Sequence, residues 1–449
     1  MGIITAVHLL HFKTSRWGKE LLRQAIPKDN FKIIKEIKVL FLSHIEDFNS
    51  KAPFDTGSQF IQALLDNNVL CVDYIEIYNK YGFSGAHNYI KKYVKNNGIN
   101  SIIYGSNPSE FYFNVNYFEK LRKEIFLVML TGDTEIYYEV RDQYYAQAMD
   151  LVTVQDFITT FKLRQIGINS MPYYSYYDTT KYRKTETSPK DIDISFIGTL
   201  GGRGGRLDYI KYLSDNGIHV ETFGVDSPNG QITFGKKIEI INRSKITLDF
   251  NGASEETRLN RKHQINKRKK QIKGKCFENT LCGSFTLCEY APGLEHFFEV
   301  GREIDVFYNK EELLEKVKYY LKHEEERESI ARRGYERAKR DYDAKLAVPK
   351  LLSTIDELRK KKIYKPSEIY LDEEFIRNYT TFRVLLIIRF IKAGKWNFAI
   401  EELKIVLKYR KLDWYQSCIF IIKGIFDNFP TIKSFLKNMY KNNSRLWIK

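Results

Sequence analysis

Two parallel-sheet α/β domains followed by a helical appendage are what this sequence predicts, and three observations carry the prediction. At 449 residues the chain is too long for one ordinary core. Short apolar runs alternate with segments of helical spacing, and they do so twice, on either side of a break. Apolar residues make up 43% and aromatics 14%, enough to fill two cores.

The first run of alternation starts at Lys38. Val39-Leu40-Phe41-Leu42, ending at Ser43-His44, reads as a buried parallel strand. Residues 57–67 and 86–95 have helical spacing, with a strand-like stretch at 69–77 between them. A strand is expected at 100–104, a helix at 117–123, a strand at 125–130 ending in Thr131-Gly132-Asp133, and a strand at 151–154. The pattern breaks at 173–190, rich in Tyr, Ser, Thr and Lys, where the chain is expected to cross between domains. The second run then gives a strand at 194–198, a helix at 206–216 stopped by Gly217, and strands at 219–223 and 246–250. After them come a helix from Cys276 to Cys282-Gly283, a strand at 285–287 and helices at 310–323 and 325–340 with i,i+4 charge pairs. The expected organisation is an N-terminal amphipathic segment at 1–36, a first α/β domain at 37–185 and a second at 186–345. A crossover helix at 346–362 and a basic helical appendage at 363–449 complete it. Within the appendage, Ala393-Gly394-Lys395-Trp396 through Leu403 faintly resembles one helical-hairpin repeat, and a capping helical bundle explains it as well.

Net charge is +16, but it is concentrated. Residues 258–275 carry nine basic and no acidic residues, and 363–449 carry sixteen basic and eight acidic, so the remainder is near neutral. This is not the footprint of a nucleic-acid binder. Neither is there an apolar run of membrane-span length or a signal-peptide pattern at the start. Cys71, Cys276, Cys282, Cys288 and Cys418 form no CxxC pair, which argues against a disulfide framework and a zinc site and makes the cytoplasm the default compartment. The basic loop fits an anionic acceptor, an anionic membrane surface or a solvated lid. The tail, with Trp396, Trp414 and Trp447, fits peripheral docking at the inner face of a membrane or packing against the body.

Two places can hold an anion. Gly198-Thr199-Leu200-Gly201-Gly202-Arg203-Gly204-Gly205-Arg206 follows a buried strand and opens a helix, so backbone N–H groups with Arg203 and Arg206 can clamp phosphate. A flexible glycine loop with solvated arginines explains it equally, and it does not read as GxGxxG. Lys273-Gly274-Lys275-Cys276-Phe277-Glu278-Asn279-Thr280 opens the next helix. There Gly274 permits close approach, Lys275 can face a phosphate, and Glu278 can accept ribose hydroxyls or merely complement the helix dipole. His44 and Asp133 stand at strand exits of the first domain, able to orient a hydroxyl or act as base. Loop and capping roles account for either taken singly. His87 and His296 read as packing residues, and the DxD string Asp191-Ile192-Asp193 as chance, since it precedes a strand.

From Lys275-Cys276-Phe277-Glu278 through Cys282-Gly283, Leu287-Cys288-Glu289, 293–303 and 327–337, the chain resembles the C-terminal domain of GT-B glycosyltransferases of the spore-maturation type, a branch similar to the group-one transferases. The resemblance implies two Rossmann-like domains facing across a cleft. It implies a nucleotide-sugar donor, such as a UDP- or GDP-sugar, with no cofactor and no obligatory metal. Catalytic roles then fall on Arg206, Lys275, Asp133 and His44. Donor contacts fall on Gly198, Thr199, Arg203, Gly274, Phe277, Glu278, Thr280 and Glu289. The acceptor would be a cell-envelope, capsule or spore-associated glycan, lipid-linked or protein-linked. One departure stands out: related transferases often carry a glutamate eight positions before the ribose glutamate, and here that position is Lys270. That leaves room for a non-catalytic, membrane-associated scaffold, or for another sugar-nucleotide enzyme such as an epimerase.

Overall fold

The computed structural model describes residues 37–45, 56–105, 110–174, 176–186, 188–201, 205–252 and 269–426. Among them the chain forms two wholly parallel sheets. The first has six strands in the order β2-β1-β3-β4-β5-β6. They are β1 (Val39–Ser43), β2 (Leu70–Asp73), β3 (Ser101–Gly105), β4 (Phe126–Leu130), β5 (Leu151–Val154) and β6 (Ser170–Pro172). The second has five, in the order β11-β10-β9-β7-β8. They are β7 (Ile192–Ile197), β8 (Glu221–Phe223), β9 (Ser244–Asp249), β10 (Phe285–Glu289) and β11 (Asp305–Phe307).

Strand periodicity explains why each sheet carries a core on both faces. Leu40, Leu42 and Ile102 point into one core of the first sheet, while Val39, Phe41 and Ile103 point into the other. Covering helices of the first domain are α1 (Thr56–Asp66), α2 (Tyr74–Asn97), α3 (Val115–Arg122) and α4 (Phe157–Gln165). Those of the second are α5 (Arg206–Asp215), α6 (Phe234–Arg243), α7 (Lys275–Leu281), α8 (Lys310–Lys322) and α9 (Glu324–Asp341).

The expected strand at 69–77 ends at Asp73, and a helix takes over. The Asp73 side chain accepts from the backbone N–H of Ile75 and Glu76, which caps α2 and converts Tyr74–Ile77 into its first turn. The same carboxylate holds His44 at 3.3 Å, so the cap and the β1 exit are one structure.

The crossover is an aromatic strap rather than a loose linker. Tyr173 belongs to the first domain's core, and Tyr174, Tyr177 and Tyr182 to the second's. The returning helix α10 (Ala344–Lys360) buries Ala347, Val348, Leu351 and Ile355 against the first sheet. Its start is tied to the strap by Ala344 N–H to Tyr177 O at 2.8 Å and by the Thr179 hydroxyl to Asp343 at 2.6 Å.

The appendage comprises α11 (Glu373–Lys392), α12 (Trp396–Tyr409) and α13 (Trp414–Phe426). The hairpin turn between α11 and α12 places Gly394 at φ +68°, where a Cβ would be strained. α11 and α12 are not peripheral: Phe375, Tyr379, Phe382, Leu386, Phe390 and Ala399 complete the first domain's core. A buried ionic knot fixes their register. Arg383 and Glu402, both fully buried, pair at 3.2 Å, and Tyr78 from α2 bonds to both. Removing one charge strands the other. Arg383→Met should therefore lower unfolding free energy in urea by about 3–5 kcal/mol, and adding Glu402→Leu should recover much of the loss.

Candidate functional site

The donor-side cluster is built at the carboxyl ends of β7, β9 and β10. Where β7 ends, Gly198 lets the chain pass under Lys275: a Cβ there would lie 2.9 Å from Lys275 Cε and 3.2 Å from its Nζ. The Lys275 ammonium sits 5.8 Å from the Phe196 ring centroid, and the Arg206 guanidinium sits 5.7 Å from the same centroid. Two cations thus share one ring. Buried Asp249, closing β9, balances them: burial raises its carboxyl to about 6, and Lys275 and Arg206 oppose the rise. Burial, followed by the nearby Arg206, pushes Lys275 down to about 8.

Arg206 itself is turned inward. It donates to the carbonyls of Thr199 at 3.0 Å and Phe250 at 3.3 Å. It is a buried positive charge behind the strand exit. Arg203 lies outside the described residues.

Glu278 is one turn further along α7. Its carboxylate pairs with Lys237 of α6 at 2.7 Å and accepts from the Tyr182 hydroxyl at 3.2 Å. Burial works to raise this carboxyl, but Lys237, Lys275 and the Tyr182 hydroxyl together hold the group below its ordinary value. A cavity of about 10 Å³, room for about one water, separates Lys237, Lys275 and Glu278 from Ser195 and Thr247. Sequence reasoning missed Lys237, because nothing in Lys236-Lys237-Ile238-Glu239-Ile240-Ile241 marks one of the two adjacent lysines as buried.

Four residues expected to contact the donor have partners within the protein. Phe277 is fully buried, stacked on Tyr174 at 4.3 Å between near-parallel rings, so it anchors the strap. Thr280 is buried and spends its hydroxyl on the carbonyls of Cys276 and Phe277. Gly274 makes room for Tyr177, whose hydroxyl donates to Gly274 O at 3.1 Å and would meet a Cβ at 2.6 Å. Glu289, 1% exposed, accepts from the backbone N–H of Asn251 and Gly252 and pairs with Lys270, so it braces the loop after β9.

Across the cleft, Asp133 sits at φ +50° beyond β4 and reaches the second domain. Its carboxylate accepts from Gln271 at 2.9 Å and from Lys273 at 3.0 Å. The structure thereby brings Asp133 to the segment that leads into α7. His44 is held by Asp73 within its own sheet. Lys269 reinforces the bridge, donating to Glu135 O at 2.7 Å and pairing with Glu139 at 3.2 Å. His87 and His296 are packed as expected, both pushed down to about 4 by burial. His296 packs across the domain boundary against Phe157, the tilted rings 4.8 Å apart. Asp191 and Asp193 pair with Arg243 and Lys245 at the entrance of β7.

The cleft wall also holds a carboxyl pair that the sequence hid. Glu135 and Asp156, both buried, lie side by side where the chain leaves β4 and β5. Burial and then the Asp156 charge raise the Glu135 carboxyl toward neutrality. A raised group favours the folded state while protonated, so its contribution is lost as pH climbs from the ordinary carboxyl value toward neutral. Glu135→Gln should therefore gain in melting temperature over the parent chain as pH rises through that window, and match it at acid pH.

Comparison with known proteins agrees with this architecture. Residues 206–353, which include Arg206, Lys275 and Glu278, match the family model described as glycosyl transferase-like. The fold is similar to that of a glycosyltransferase from Rickettsia africae ESF-5, with TM-score 0.51 and 10% identity over 73% of this chain and 100% of that one. It is also similar to that of a sucrose-phosphate synthase from Thermosynechococcus elongatus, with TM-score 0.52 and 9% identity over 71% of this chain and 99% of that one. No curated protein matches the sequence. The two-domain fold is GT-B, and its second half carries a glycosyl transferase-like domain.

Proposed function

We propose that the chain transfers a hexose from a nucleotide-sugar donor to a glycan acceptor of the cell envelope, capsule or spore surface, lipid-linked or protein-linked, without an obligatory metal. The observation that carries this reading is the pair of cations, Lys275 and Arg206, converging on Phe196 beside Gly198, with Glu278 three residues further on. A departing nucleoside diphosphate gains negative charge, and a protonated Lys275 backed by Arg206 is placed to stabilise it. Glu278 has lone pairs beyond those used by Lys237 and Tyr182 with which to accept ribose hydroxyls. On the acceptor side, Asp133 and His44 are the candidates to orient the incoming hydroxyl.

A thermal-shift screen with UDP, GDP, CMP, ADP and dTDP, with and without Mg²⁺, tests the donor class. A ligand at a hundred times its dissociation constant adds about 2.7 kcal/mol of stability. Stabilisation by one diphosphate without metal is expected, and a response to none would sink the reading. Lys275→Ala should weaken that nucleotide by roughly tenfold to a hundredfold, the loss of one charge-assisted contact. Glu278→Ala should weaken nucleoside and diphosphate alike. The pH dependence has a definite sign. Lys275 must be protonated to hold phosphate and loses its proton near 8 in the empty site, so affinity should fall as pH rises past about 8. Titration calorimetry across that range should show the fall, and Lys275→Arg should flatten it.

A further inference from the structure

The appendage helices face two ways. Their inner side completes the first domain's core, as described. The outer side of α12 carries Trp396, Ile400, Leu403 and Leu407, which are 60%, 49%, 44% and 59% exposed. Their spacing of four, three and four residues puts them on one stripe. α13 buries Ser417, Phe420 and Gly424 and leaves Trp414, Tyr415, Ile421 and Ile422 in water, Trp414 being 72% exposed. An exposed apolar surface of this kind marks an interaction site.

Charge identifies the partner. Residues 389–426 hold eight basic and three acidic residues. Two of those acids are spent, Glu402 on Arg383 and Glu401 on the backbone N–H of Phe83 and Ser84, while Lys411 pairs with Glu373 and Lys395 and Arg389 donate to Asn79 O and the Tyr112 hydroxyl. Residues 427–449 add five basic and one acidic. A second copy would bring the same positive charge to the face, and so would the chain's own C-terminal segment. An anionic bilayer surface complements both features at once. Indole rings settle at the boundary between headgroups and acyl chains, while lysine stems lie along apolar surface and keep their ammonium groups at the phosphates.

We propose that the outer face of α12 and α13 docks peripherally on an anionic lipid surface, with Trp396 and Trp414 entering the headgroup boundary and Lys404 and Lys408 meeting lipid phosphates. Among the described residues no helix is long and apolar enough to cross a membrane, so the contact lies in the plane of the surface. α12 also packs on α2, which fixes the face rigidly to the first domain. The inference does not depend on the donor reading, because none of these residues belongs to the cluster around Lys275.

Co-sedimentation of the full chain with phosphatidylcholine vesicles, with and without added phosphatidylglycerol, tests it. The chain should be retained by the anionic vesicles, weakly or not at all by the neutral ones, and less as salt rises. Trp396→Ser with Trp414→Ser should weaken retention about tenfold or more, and so should Lys404→Glu with Lys408→Glu. These side chains are exposed, so melting temperature and nucleotide binding should match the parent chain. Several results would overturn the proposal. They are no retention on anionic vesicles, equal retention of both double variants, self-association through this face with vesicles ignored, and capture by polyglutamate in preference to vesicles.

Discussion

The stacking of Tyr174 on Phe277 is the contact on which the arrangement of the site depends. α7 is a seven-residue helix, too short to hold itself. It stays in place because Phe277 is clamped among Tyr174, Tyr177, Phe297, Phe298 and Tyr342. Tyr174 and Tyr177 lie on the strap that joins the two sheets, so the clamp that fixes Lys275 and Glu278 also fixes how the strap leaves the first domain. Core packing and site geometry are one problem here. A burial of aromatic rings sets where two charges sit.

This dependence explains which parts were legible in the sequence. The buried strands were, because a parallel strand covered on both faces must be a continuous apolar run, as Val39–Leu42 and Ile102–Tyr104 are. The helix start at Lys275 was also legible, because Gly274 opens a segment that runs to Cys282-Gly283 with helical spacing. What could not be read was which members of that segment face the cleft. In a short helix under an aromatic strap, Phe277 and Thr280 point to the core, and only the tertiary partners decide that. Lys237, Asp156 and Tyr182 were illegible for a related reason. Each matters through a neighbour more than twenty residues away in the chain, and no spacing rule reaches that far.

Beside the His296–Phe157 ring contact, charges bridge the cleft. Lys269 and Lys273, at the end of the basic segment, meet Glu139 and Asp133 of the first domain. Asp133 is half exposed, so these pairs are screened and individually weak. Such contacts can part without costing the fold much, whereas the strap and α10 cannot. The basic segment is then more than a solvated run. Its last lysines are the ion pairs that span the cleft.

Lys270 shows how a departure from a family pattern is absorbed. Related transferases often carry a carboxylate at this position, and a lysine there would seem to invert the local charge. The structure supplies a carboxylate from elsewhere: Glu289, at the end of β10, meets Lys270. Glu289 is deeply buried, accepts two backbone N–H groups of the loop after β9 with one oxygen, and with the other accepts from the Tyr209 hydroxyl at 3.4 Å and pairs with Lys270. A carboxylate at 270 would place two negative groups together in a site with little water. A lysine there neutralises Glu289 and ties the end of the basic segment to the sheet. Residue 270 thus meets a buried carboxylate presented by the end of β10.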